Sequence, residues 1–129
     1  MQNAKNRMAN SFNFKGSKVF KLAFELAMEI FEISKKFPAE EKYSLTDQIR
    51  RSSRSVCANL AEANRKRIYP AHFVSKSSDS DTENSETQVW LLFALECKYV
   101  TKQKFEELNA KSEEIGRLIS HMINNPGKY

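Results

Sequence analysis

Between Pro70 and Ile115 the chain contains no glycine and no further proline, and this uninterrupted length constrains the fold more than any other feature. A linker of that size is rare inside a compact domain. The first part, SKSSDSDTENSETQVW (Ser75–Trp90), is polar enough to pass for a linker joining two smaller pieces. Its spacing says otherwise. Phe73, Ser77, Ser80, Asn84, Thr87, Leu91 and Ala94 recur at intervals of four and three, which lays them in one stripe along a helix. Lys76, Asp79, Glu83 and Glu86 fall together on another face. The ten Ser, Thr, Asp and Asn residues from Ser75 to Gln88 set about 5 kcal/mol of helix propensity against this reading, which tertiary packing must offset. Small side chains at Ser77 and Ser80 suit the close approach of another helix, and RRSSRS (Arg50–Ser55) is the candidate neighbour. Leucine at either position is expected to crowd that contact.

The remaining glycines and prolines, Gly16, Pro38, Gly116, Pro126 and Gly127, leave helix-sized gaps. Val19, Ala23, Leu26, Ile30, Ile33 and Phe37 form a first stripe, widened by Phe20, Phe24, Ala27 and Phe31, as in a helix with partners on two sides. Pro38 disfavours helical geometry at Phe37 and turns the chain. A second helix opens near Ser44 or Thr46, with Thr46 and Asp47 as candidates for its free amides. Its seam is thin: Leu45, Ile49, Ser53, Val56, Leu60 and Ala63. Thr101 suits the cap of a last helix with Phe105, Leu108, Ser112, Ile115, Ile119 and Met122 on its seam, ended by Asn124, Asn125 and Pro126. The expected organisation is an N-terminal arm over 1–15, helices over about 16–36, 44–67, 70–99 and 102–124, and a tail over 125–129. Four helices with short connections make an all-α, antiparallel up-down bundle.

The chain's 129 residues are one domain's worth. Its longest apolar run, VWLLFAL (Val89–Leu95), is far below the roughly 20 residues of a membrane span, so no membrane role is expected. The basic N-terminus has no apolar run behind it, which argues against a secretory signal and for a cytoplasmic protein. Cys57, Cys97, His72 and His121 stand apart without metal-ligand spacing, so no metal or other cofactor is assigned. No glycine-rich phosphate loop occurs, and Glu-x-x-His pairs of the kind that hold di-iron in bundles are missing. The reading is non-enzymatic.

The net charge of +5 is unevenly placed, with 14 Lys/Arg against 7 Asp/Glu in residues 1–67 and 7 against 9 in residues 68–129. Such asymmetry marks a polyanionic partner or an oligomer whose halves face each other. Arg50, Arg51, Arg54, Arg65, Lys66 and Arg67 are the candidate nucleic-acid-binding residues, with Lys15, Lys18 and Lys21 as additions, because forked guanidinium donors suit phosphate. Arg65–Arg67 also have a plainer explanation, since cations complement the C-terminal end of a helix. Asn59, Glu62 and Glu86 are candidates for an internal polar network with Arg50 or Arg51. Phe20, Phe24 and Phe31 are candidates for an oligomer interface, and a protein-interaction scaffold is the rival function.

The segment FPAEEKYSLTDQIRRSSRSVCANLAEANRKR (Phe37–Arg67) resembles the four-helix-bundle family encoded in intervening sequences of bacterial 23S rRNA genes. The resemblance rests on Phe37-Pro38 with Glu40 and Glu41, then Tyr43, Leu45, Thr46, Gln48, Ile49, Arg50 and Arg51, then Asn59, Leu60, Ala61 and Glu62. Glu86-Thr87-Gln88 and EEIGRLI (Glu113–Ile119) complete it, over about residues 16–124. Cys57 and Ala63 depart from the family's proline and glycine, and the third helix is more polar than is usual there. The resemblance implies a left-handed bundle that forms a ring-shaped homo-oligomer, often a pentamer. It also implies relatives that associate with nucleic acid and a reverse transcriptase, so RNA, DNA and a reverse transcriptase or other protein are the partners to consider.

Overall fold

The computed structural model describes residues 14–129. The expected arm over 1–15 lies almost wholly outside the described residues. Four helices follow: α1 (Lys18–Ser34), α2 (Leu45–Arg65), α3 (Pro70–Glu96) and α4 (Lys102–Asn124), with no strand among the described residues. Short 3-10 turns lie at Phe14–Gly16, Ala39–Glu41 and Pro126–Lys128.

The helix ends follow from local chemistry. Ser17 and Thr101 accept hydrogen bonds from the amides of Phe20 and Lys104 at the starts of α1 and α4, satisfying donors that have no partner within the helix. At α2 the expected caps, Thr46 and Asp47, lie inside the first turn instead. Glu41 takes the role, its Oε1 accepting from the Leu45 amide at 3.3 Å and from the Ser44 hydroxyl at 2.6 Å. Its Oε2 accepts from the Tyr99 hydroxyl at 2.8 Å, so one carboxylate ties the α1–α2 connection to the α3–α4 connection. The Ser44 and Tyr99 bonds hold the Glu41 carboxyl below its ordinary range. Pro70 opens α3 at a position where its missing N–H costs nothing. At the other end Tyr99 N–H reaches the Ala94 carbonyl and Lys98 N–H the Leu95 carbonyl, a Schellman closure with Lys98 at φ 63° where glycine is usual.

Helix α2 packs most extensively on α3, α3 on α4, and α1 on both α2 and α4, which closes a four-helix bundle. Its core is built from Ala23, Leu26 and Ile30, from Ile49, Val56 and Leu60, from Phe73 and Leu91, and from Leu108, Ile115 and Ile119. The tail folds back, with Tyr129 stacked on Phe73 at 5.8 Å between ring centres.

The polar stretch of α3 is helical throughout, and its seven seam residues are the ones buried. Ser80 donates to the Val56 carbonyl at 2.9 Å, and Thr87 Oγ1 lies 2.8 Å from Ser52 Oγ. Asn84 donates to the Ser112 carbonyl at 2.9 Å and accepts from the Ser112 hydroxyl at 2.8 Å. A side chain at Gly116 would come within 3.4 Å of the Asn84 amide, so the small residue there leaves that amide its place.

This network corrects one expectation. Asn59 is half-buried and donates to the Ser55 carbonyl of its own helix. Glu62 is exposed and paired with Lys76 at 2.7 Å. Glu86 stands beside Glu83, whose carboxyl is pushed up by burial and by the Glu86 charge. The three do not meet, and the internal polar contacts are made by short neutral groups instead. Burying a carboxylate costs several kcal/mol unless it is paired, whereas a hydroxyl or amide is satisfied by one carbonyl of a neighbouring helix.

Candidate nucleic-acid interface

Asp47, Arg50, Arg51, Arg54, Ser55 and Ala58 recur at the spacing of one helix face and, with Thr46, Lys42 and Tyr43 from just before them, line a single groove along α2. Four cationic side chains meet one carboxylate there. Arg50 is held by neutral groups. Its Nε donates to Ser34 Oγ at 2.7 Å, and its guanidinium lies 4.8 Å from the centre of the Phe31 ring. Arg54 lies 5.6 Å from the same ring and the Lys35 ammonium 4.7 Å. Phe31 is thus a pedestal for three cations, each attracted by the negative face of the ring. That gives Phe31 a neighbourhood other than the one expected of an interface residue. Among the described residues Arg50 is held by these neutral groups, while Glu62 pairs with Lys76 and Glu86 stands beside Glu83.

The six basic residues expected to act together fall in two places. From Arg54 to Arg65 the helix rises about 16 Å, which separates the groove from the RKR cluster at its end. Lys66 is exposed. Arg67 lines a different hollow with Phe14, Asn64, Phe73 and Tyr129, and both Arg65 and Arg67 have partners of their own. Lys18 is paired with Glu114 at 3.7 Å, while Lys15 and Lys21 line a groove on α1 beside Glu25, Glu29 and Glu32. These lysines do not extend the α2 groove.

On α1, Phe20 stacks on Phe24 at 6.0 Å, and Phe24 and Met28 are 53% and 46% exposed. Cys57 is half-buried, its thiol pushed up to about 11 by burial, whereas Cys97 is exposed at the end of α3. Among the described residues no group of three or more His, Cys, Asp and Glu is placed to hold a metal, and no helix is long and apolar enough to cross a membrane.

Two contacts of the site escaped sequence reasoning, Ser34 with Arg50 and Phe31 with its three cations. Ser34 is buried on α1 one turn after Ile30, where the expected stripe ran through Ile33 instead, which is half-buried.

The sequence profile of the 23S rRNA-intervening sequence protein family matches residues 15–121. Among solved structures, the chain is similar to a protein of unknown function from the S23 ribosomal protein family of Bacteroides thetaiotaomicron. The two are 31% identical with a TM-score of 0.74, over 82% of this chain and 95% of that one. No curated protein matches. With the helical core, the Phe37–Arg67 blocks and this coverage in agreement, the chain belongs to the 23S rRNA-intervening sequence protein family.

Proposed function

We propose that this protein is a non-enzymatic, self-associating helical bundle that holds nucleic acid, RNA ahead of DNA, against the basic face of α2, mostly through phosphate contacts. The observation that carries the reading is the α2 groove, lined by Lys42, Arg50, Arg51 and Arg54 with Asp47, where Arg51 also feels the Glu83 charge and Arg50 is fixed by Ser34 and Phe31. A guanidinium held in place loses little freedom on meeting phosphate. The family's description names 23S rRNA, which makes RNA the first ligand to test. The fuller architecture belongs to the same proposal: an antiparallel up-down, left-handed bundle, joined into a ring, with a pentamer as the first model, in the cytoplasm. The exposed Phe24 and Met28 beside Phe20 support self-association, because uncovered apolar surface gains by burial against a sister subunit. A ring would repeat the groove and multiply its charge.

A second reading has its own support. Val89 and Leu92 on α3 are 45% and 50% exposed, as a scaffold docking a protein, a reverse transcriptase among the candidates, would require. Salt separates the two readings, since apolar contacts survive ionic strength and phosphate contacts fade.

The test is binding of structured RNA and single-stranded DNA across a salt series, with Arg50, Arg51 and Arg54 changed together to Ala and, separately, Arg65, Lys66 and Arg67. Each phosphate neutralised on a single strand contributes about −0.7 to the slope of log K against log salt. The groove variant is expected to flatten that slope by about 2, and more than the RKR variant does. No binding at low salt would remove the nucleic-acid reading.

A further inference from the structure

The α2 groove runs up to Tyr43, which is 84% exposed and carries the Lys42 ammonium 5.3 Å from its ring centre. Tyr43 also lines a second hollow, with Gln48, Trp90, Phe93, Cys97 and Glu41, whose two carboxylate oxygens are engaged by Ser44, Leu45 and Tyr99. There Phe93 is 54% exposed, and the Trp90 and Phe93 rings centre 6.0 Å apart. A cationic trough therefore passes into an aromatic one, with Tyr43 belonging to both.

Phosphate contacts do not distinguish a single strand from a duplex, but exposed rings do. Paired bases are stacked on one another and offer no face, whereas unpaired bases stack on aromatic side chains beside a positive groove that tracks the backbone. Arg50 and Arg54 are one helical turn apart, about 6 Å along the axis, a step comparable with that between neighbouring phosphates of one strand. Asp47, four residues after Tyr43 in the same groove, repels phosphate and leaves its place to a donor such as a ribose hydroxyl or a base amino group.

We infer that the α2 groove takes single-stranded nucleic acid, with phosphates on Arg50, Arg51 and Arg54, an unpaired base stacked on Tyr43, and the strand continuing toward Phe93. This inference rests on the nucleic-acid reading above and narrows it.

The experiment measures fluorescence anisotropy of a labelled oligouridylate of about 12 nucleotides, within the span of known single-strand sites, against an RNA duplex of the same length at matched salt. It compares the wild type, Tyr43→Ala, Tyr43→Phe and the Arg50/Arg51/Arg54→Ala variant. The expected result is preference for the single strand, about tenfold loss in Tyr43→Ala with an unchanged salt slope, and retention in Tyr43→Phe, which keeps the ring. Trp90 is the sole tryptophan, and a change in its emission on binding would report the strand's arrival near Phe93. Equal duplex binding with Tyr43→Ala unaffected, while the arginine variant loses affinity, would overturn this inference and leave the basic-face reading standing. Absence of binding to either RNA would remove both. Tyr43 is too exposed to carry the fold, and circular dichroism with particle size would verify that its variants keep helix content and assembly.

Discussion

From Leu91 onward α3 meets its neighbours with Leu91 and Ala94, both fully buried, whereas earlier on the same seam it presents Ser77, Ser80, Asn84 and Thr87, buried to the same degree. The two halves share a helix and a degree of burial, and differ in what they exchange with the rest of the bundle. The apolar half gains by leaving water, in proportion to area and nearly independent of orientation. The polar half gains little net, because each of its bonds replaces one made to water. It is demanding about position, since a hydroxyl displaced by an ångström from its carbonyl is a buried group left unsatisfied. One half therefore supplies stability and the other ties α3 to a particular register on α2 and α4.

The largest expected effect lies in the apolar half. Leu91→Ala removes a fully buried side chain from a core cluster and is expected to cost about 3 kcal/mol, the middle of the range for such truncations. Urea unfolding at one fixed protein concentration checks it, since self-association would otherwise enter the apparent stability. A cost under about 1 kcal/mol would mean that the site collapses around the vacancy and that the division of labour is wrong.

Next comes the contact that most resembles a register pin. Asn84→Ala strips the Ser112 carbonyl and hydroxyl of the partners they have in Asn84, although Gln88 still reaches that hydroxyl at 2.9 Å. A loss of about 2 kcal/mol is expected, most of it the penalty for buried groups left unpaired. Replacing both side chains, Asn84→Leu with Ser112→Ala, is expected to recover only part of that loss, because the hydroxyl–amide pair is gone but the carbonyl of residue 112 remains and Gln88 Nε2 loses its acceptor. A double variant no better than Asn84→Ala would place the cost in packing against Gly116, where space is limited.

Much of this contrast was legible in the sequence. The three-and-four spacing of Phe73, Ser77, Ser80, Asn84, Thr87, Leu91 and Ala94 identified the buried face of α3 although composition argued for a linker, because periodicity reports geometry whatever the side chains are made of. The same spacing marked Phe105, Leu108, Ser112, Ile115, Ile119 and Met122 on α4, all buried except the half-buried Phe105. It failed where charge was allowed to outvote position. Glu62 and Glu86 each lie one residue before a seam residue, Ala63 and Thr87, and a 100° step along the helix carries them off the buried stripe. For the candidate site, the arginines were visible as a cluster, but their division into a groove and a distant helix end required only the rise per residue. The Arg50–Ser34 bond and the Glu41–Tyr99 bond, 16 and 58 residues apart in sequence, depend on which helices adjoin and on single rotamers. No local pattern carries that information.

The smallest effects make the sharpest comparison, because they come from two serines three residues apart. Ser77 and Ser80 are both fully buried on the α3 seam, yet Ser80 donates to the Val56 carbonyl while the Ser77 hydroxyl has no partner among the described residues. Alanine removes the same atom from each and improves helix propensity equally, by about 0.5 kcal/mol. At Ser80 this gain is set against a lost bond and a carbonyl deprived of its second donor, so Ser80→Ala is expected to destabilise, by about 1 kcal/mol. At Ser77 nothing is lost except the burden of a buried unpaired hydroxyl, so Ser77→Ala is expected to stabilise, by about 1 kcal/mol. Melting temperatures of the two variants should therefore move in opposite directions from the wild type by a few degrees each. If both fall, the Ser77 hydroxyl is satisfied in solution by water or by a sister subunit. In that case the polar half of α3 extends its register-setting role beyond the single bundle.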